Sequence, residues 1–140
     1  QFVNKINKKR IKERAILEPI TESIIPVYKE IPTFDVYVMH ESEILAEKIR
    51  AILTREKARD VYDLWFLLKK RKTKSDLKIV NKKLALYNLK FDSKVFAERL
   101  EKMQGLWKID LRNLLTTNVP DYGLVKQDII SELKQLSNNS

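Results

Sequence analysis

Cysteine is absent from the 140 residues of this chain. Disulfides and thiolate metal sites are thereby excluded, and a cytoplasmic location is the expectation. Histidine occurs once. His40 closes an expected strand and reads as a bystander rather than a general base. Glycine occurs twice, at Gly105 and Gly123, both far toward the C-terminal end. No glycine-flanked aromatic motif of the kind that RRM domains use on RNA is seen. No apolar run approaches the roughly 20 residues that span a bilayer, and none reads as a signal peptide, so no membrane partner is expected. Acidic side chains are outnumbered. Asp and Glu total 19 against 28 Lys and Arg, a formal net charge of +9 with a pI near 9.7. That balance favours polyanionic partners.

What is present suits one globular domain with a real core, since 44% of residues are hydrophobic and 34% charged. Two basic runs stand out. One is Lys5, Lys8, Lys9, Arg10, Lys12 and Arg14; the other is Lys69, Lys70, Arg71, Lys72 and Lys74. Each is either a solvated face or a phosphate-tracking surface for RNA. Residues 1–12 read as a strand running into a basic turn, or as a short helix. Pro19, Pro26 and Pro32 interrupt any helix before His40. The β-branched and aromatic segments between them predict short strands at 24–27 and 34–39.

From Glu41 onward the periodicity is helical, and predicts helices at 41–55, 58–70, 74–87, 93–104, 105–115 and 122–136. Ser42, then Ser75 or Asp76, then Asp92 or Ser93 are candidate N-caps. Pro120 and Asp121 stop one helix and restart the last. The expected fold class is α+β and mainly α: a few N-terminal strands in 1–40, then a helical bundle of about five or six helices in 41–140.

Two charged residues break the apolar pattern. Ile44, Leu45, Ile49, Ile52 and Leu53 form one stripe, and Lys48 falls inside it. Val61, Leu64, Trp65, Leu67 and Leu68 form the next, and Asp60 falls inside that one. Charges aimed at a core are costly unless partnered. Lys48 and Asp60 either pair with each other, or project into a polar cleft where the lysine holds a phosphate and the aspartate orients a basic group or a metal. Arg55, Lys57 and Arg59 lie between the two helices, beside a helix N-terminus. They suit phosphate binding, or form a solvated basic turn. Asp63 is placed to support the site by pairing with Arg59 or Arg55. Asp35, in an expected strand, is a weaker metal candidate. Trp65 and Trp107 read as core aromatics.

The run from Glu41 to Leu68 resembles the C-terminal motif pair of the AbiEii/AbiGii toxin family of nucleotidyltransferases, which includes the MenT toxins. The first motif is carried by Glu43, Ala46, Glu47, Lys48, Ala51 and Leu53. The second is carried by Arg55, Lys57, Arg59, Asp60, Asp63 and Leu64. A tail resembling that of the family follows in Trp107, Asp110, Leu111, Leu114, Pro120, Asp121 and Val125, with Tyr122 where phenylalanine is usual. The resemblance runs from about Phe34 to the C-terminal end.

The family's catalytic core carries a Gly-Ser loop and an Asp-x-Asp motif that holds divalent metal. Neither pattern occurs in these 140 residues. The expectation is the C-terminal part of a longer nucleotidyltransferase, with residues 1–40 completing the sheet of the core. The resemblance implies transfer of a nucleotide from an NTP to an RNA acceptor, tRNA in the MenT-like members, with Mg2+ held mainly by residues outside this chain. No metal ligand is expected within it. It implies catalytic roles for Lys48 and Asp60, nucleotide or RNA binding by Arg55, Lys57 and Arg59, inactivity of this part alone, and an antitoxin from a neighbouring gene as a partner. The competing expectation is a non-catalytic helical module that binds RNA or protein.

Overall fold

The structure, a computed structural model, describes residues 20–26, 30, 32–112 and 119–138. The basic run from Lys5 to Arg14, the segment 1–12 and residues 113–115 of an expected helix lie outside the described residues.

Two five-residue strands, β1 (Ile20–Ile24) and β2 (Phe34–Val38), pair antiparallel, with Ile20 opposite Val38 and Ile24 opposite Phe34. The expected strand at 24–27 extends into residue 27, which lies outside the described residues; β1 ends at Ile24. Ile25 is exposed, and Pro26 has no N–H to offer a ladder.

The rest is mainly helical. Helix α1 (Glu41–Thr54) starts without a side-chain cap. The His40 carbonyl accepts from the N–H groups of Glu43 and Ile44 at 3.0 and 2.9 Å, and Ser42 sits inside the first turn instead of capping it. Glu41 and Glu43 place negative charge where the helix dipole favours it. Helix α2 (Ala58–Lys69) follows after a three-residue corner. Helix α3 (Leu77–Ala85) is shorter than its periodicity suggests. Asp76 fixes its start by accepting from Lys78 N–H at 2.9 Å. Past its end, Asn88 takes a left-handed backbone (φ 57°), which asparagine tolerates better than most residues.

Helix α4 (Ser93–Lys102) is capped by Asp92, whose side chain accepts from Lys94 and Val95 N–H. The next expected helix divides into a 3-10 turn (Gln104–Leu106) and a short helix α5 (Trp107–Leu111). Helix α6 (Tyr122–Asn138) begins where Pro120 and Asp121 suggest, with Asp121 accepting from Leu124 N–H at 3.1 Å.

Helix α1 packs on α2, α3 and α4; α2 also meets α5 and α6, and α4 meets α6. The core therefore forms around α1 and α2. Leu45, Ile49 and Ile52 of α1 meet Val61 and Leu64 of α2, all fully buried. Leu84, Leu100, Leu111, Val125 and Ile129 close the cluster from the other helices. Each such side chain contributes on the order of 1.5–3 kcal/mol by leaving water. Tyr122 uses its hydroxyl where a phenylalanine would have none: it donates to the Leu100 carbonyl and ties α6 to α4. Burial first, and the nearby Glu101 second, push its pKa up to about 12. Trp107 is buried and donates to the Pro120 carbonyl at 2.8 Å. Among the described residues no helix is long and apolar enough to cross a membrane.

Candidate functional site

The apolar stripes of α1 and α2 face each other, so the two charges that interrupt them meet. Lys48 Nζ lies 3.3 Å from Asp60 Oδ1 and 2.8 Å from Asp63 Oδ2. The Asp60 side chain is fully buried, whereas Lys48 is 23% exposed. The Lys48–Asp60 ion pair is thus formed, and it leaves the lysine head at the edge of solvent. An ammonium carries three donors, and two carboxylates meet this one.

Arg55 completes the cluster from the corner between the helices. Its Nε and Nη2 donate to the two Asp60 oxygens at 2.8 and 2.9 Å, a fork-to-fork arrangement. The sequence does not reveal this pairing, because Arg55 stands in a turn where no periodicity applies. Asp63 pairs with Lys48 rather than with Arg59 or Arg55. Burial by itself would push the Asp60 carboxyl up. The Arg55 hydrogen bonds and the Lys48 charge outweigh it, and its pKa lies below the ordinary carboxylate value. Asp60 is also in the first turn of α2, where the helix dipole favours an anion.

Two distant side chains brace this corner. Arg99 of α4 donates to the carbonyls of Ile52 and Arg55 at 3.0 and 3.1 Å, closing the C-terminal end of α1. Asp110 of α5 accepts from Ala58 N–H at 2.9 Å and caps α2 from across the fold. The role of Asp110 is invisible to local sequence rules because the cap comes from 52 residues away. Lys57 and Arg59 are exposed, and with Glu56 and Asp110 they line a surface pocket of about 320 Å³. The Ala58 N–H at this helix end is already served by Asp110, so the side chains of Lys57 and Arg59 are the groups left to meet a phosphate there.

A second buried ion pair lies on the α3 side of α1. Lys83 Nζ is 3.2 Å from Glu43 Oε2, with both side chains essentially inaccessible, and 3.7 Å from Glu47 Oε2. Glu47 in turn pairs with Arg50, whose guanidinium lies 4.8 Å from the centroid of the Tyr87 ring. The signal for Lys83 was the one that marks Lys48: it falls on the same helix face as Val80 and Leu84.

The magnesium implied by the resemblance finds no donor set here. Among the described residues no three Asp, Glu or His side chains converge as metal ligands, and Asp60 and Asp63 both face Lys48.

Residues 11–128 match the family model described as nucleotidyl transferase AbiEii toxin, type IV TA system. No curated protein and no solved structure gives a match. The matched span takes in the braced corner between α1 and α2 and the tail through Asp128. The chain belongs to the AbiEii nucleotidyl transferase toxin family.

Proposed function

We propose that this helical unit serves a nucleotidyl transfer from an NTP to an RNA acceptor, tRNA being the acceptor class the family resemblance suggests. Residues 41–140 act as the C-terminal domain, and 1–40 complete the sheet of the catalytic core. The observation that carries this reading is the Lys48 head, fixed by Asp60 and Asp63 at the edge of solvent in a chain of this family. Lys48 directs its remaining donor at a phosphate of the bound triphosphate.

Asp60 is a positioning residue. It has no exposed surface, and both its oxygens are engaged, so it holds Lys48 and Arg55 rather than taking a proton from the acceptor hydroxyl. Arg55, Lys57 and Arg59 add positive potential beside the site. The Mg2+ that the family resemblance suggests would draw its ligands from outside the described carboxylates. An antitoxin is the partner the family suggests.

The test is transfer of label from each α-labelled NTP to total cellular RNA in the presence of Mg2+. The enzyme with an Asp-x-Asp core is expected to label RNA with one NTP preferred, and the 140-residue chain alone to label none. Absence of labelling by the complete enzyme with every NTP would leave the alternative, a helical RNA- or protein-binding module.

A further inference from the structure

One face of α2 turns from the core toward solvent and carries cations and an aromatic ring. Arg59, Asp63, Phe66 and Lys70 follow at i, i+4, i+7 and i+11, so they line one side of the helix. Phe66 is 42% exposed. Tyr62 supports it from behind, with ring centroids 6.4 Å apart and planes 27° apart. Arg59 and Lys70 flank it and are exposed. Asp63, on the same face, is neutralised by Lys48 at 2.8 Å.

The face leads into the loop after α2. There Lys72 and Lys74, with Thr73 and Ser75, line a concavity of about 520 Å³. Lys69 in the same concavity is paired with Glu132, and Arg71 with Glu41. Lys72 holds a left-handed backbone, φ 53°. Glycine adopts that conformation without strain, so a lysine there retains a charge at a conformational cost.

We infer that this face binds a single-stranded segment of the RNA acceptor, with an unpaired base stacked on Phe66 and backbone phosphates on Arg59, Lys70 and Lys72. The inference rests on the RNA-acceptor reading above and gives it a path. Alternating cations and aromatic faces are how proteins hold single strands without reading sequence. Arg59 and Lys70 are roughly 16 Å apart along the helix at 1.5 Å per residue. One triphosphate held at Lys48 does not span that length, whereas an RNA strand whose reactive end lies at Lys48 does. The net charge of +9 complements such a partner.

The test measures binding of a short labelled single-stranded RNA to the chain by fluorescence anisotropy over a range of salt, with melting temperatures taken in parallel. Phe66→Ser is expected to weaken binding on the order of tenfold or more while leaving the salt slope unchanged. Phe66→Tyr should restore it. Lys70→Gln with Lys72→Gln should weaken binding and flatten the slope by roughly 0.7 per lost contact. Lys72→Gly should melt no earlier than the parent chain yet bind RNA less tightly.

RNA binding by the parent chain that none of these changes alters would overturn the track and leave the RNA reading standing. No RNA binding by the parent chain even at low salt would overturn both. Equal affinity for fully paired RNA would remove the stacking on Phe66. Self-association lost in Phe66→Ser, without effect on RNA, would assign the face to a second copy of the chain instead.

Discussion

Asp60→Asn is expected to lower stability by about 3 kcal/mol, the lower end of the range for breaking a buried ion pair. The melting temperature should fall on the order of 10 °C. Asp60 is fully buried and accepts from Arg55 twice and Lys48 once. An asparagine keeps the shape, but its NH2 group must then face a guanidinium or an ammonium. The partners are unequal in the other direction. Lys48 and Arg55 are partly exposed, at 23% and 43%, and either one alone leaves the buried Asp60 with a cationic partner. Lys48→Met or Arg55→Gln should therefore cost about 1 kcal/mol, the net worth of an ordinary hydrogen bond.

The pH dependence follows from the lowered Asp60 pKa. A depressed carboxyl contributes its stability above the unfolded value, near 3.9, and loses it as pH falls through the folded value. The gap in stability between the parent chain and Asp60→Asn should hold at neutral pH and narrow below about pH 4. Urea denaturation at both pH values measures it. A neutral-pH difference under about 1 kcal/mol would contradict the cluster's role in the fold.

Lys83→Met should have an effect at least as large. Lys83 and Glu43 are both essentially inaccessible, and the change leaves the Glu43 carboxylate buried without the ammonium 3.2 Å away. The expected loss is roughly 3–5 kcal/mol. Glu43→Leu combined with Lys83→Met should recover most of it, because a pair of apolar residues faces no desolvation penalty. The double-mutant cycle isolates the coupling. Additive losses would show that the two charges do not depend on each other.

How much of this was legible in the sequence depends on the range of the rule involved. The meeting of Lys48 and Asp60 could be read because each breaks an apolar stripe, and facing stripes bring their breaks together. The same rule applied to the helix at 77–85 marks Lys83 between Val80 and Leu84, yet the expectation there went no further than the helix itself. Arg55, expected either to meet phosphate or to lie in a solvated basic turn, also donates to both oxygens of Asp60, a pairing that periodicity does not betray because a turn residue has no periodic face. Asp63 was assigned to Arg59 or Arg55 by helical spacing and pairs across the interface with Lys48.

Helix starts with a local carboxylate are narrowed by the sequence to two candidates each, Ser75 or Asp76 and Asp92 or Ser93, of which the aspartates accept the N–H groups; Asp121 does the same at the expected restart after Pro120. The caps on the corner could not: Arg99 and Asp110 reach the ends of α1 and α2 through the tertiary fold. The expected helix at 105–115 divides because a 3-10 turn at Gln104–Leu106 precedes Trp107. The indole then turns inward to the Pro120 carbonyl.

The most direct test of the account is the transfer rate of Lys48→Met in the complete enzyme, per folded molecule. Methionine keeps the apolar stem beside Leu45, Ile49 and Ile52, and Arg55 keeps Asp60 satisfied, so the fold should persist. Loss of a charge-assisted contact to the triphosphate, worth on the order of 1.5–3 kcal/mol, should slow transfer roughly tenfold or more. A variant that transfers nucleotides at the parent rate per folded molecule, whatever its small loss of stability, would show that Lys48 serves only the ion pair, and would contradict its place at the triphosphate.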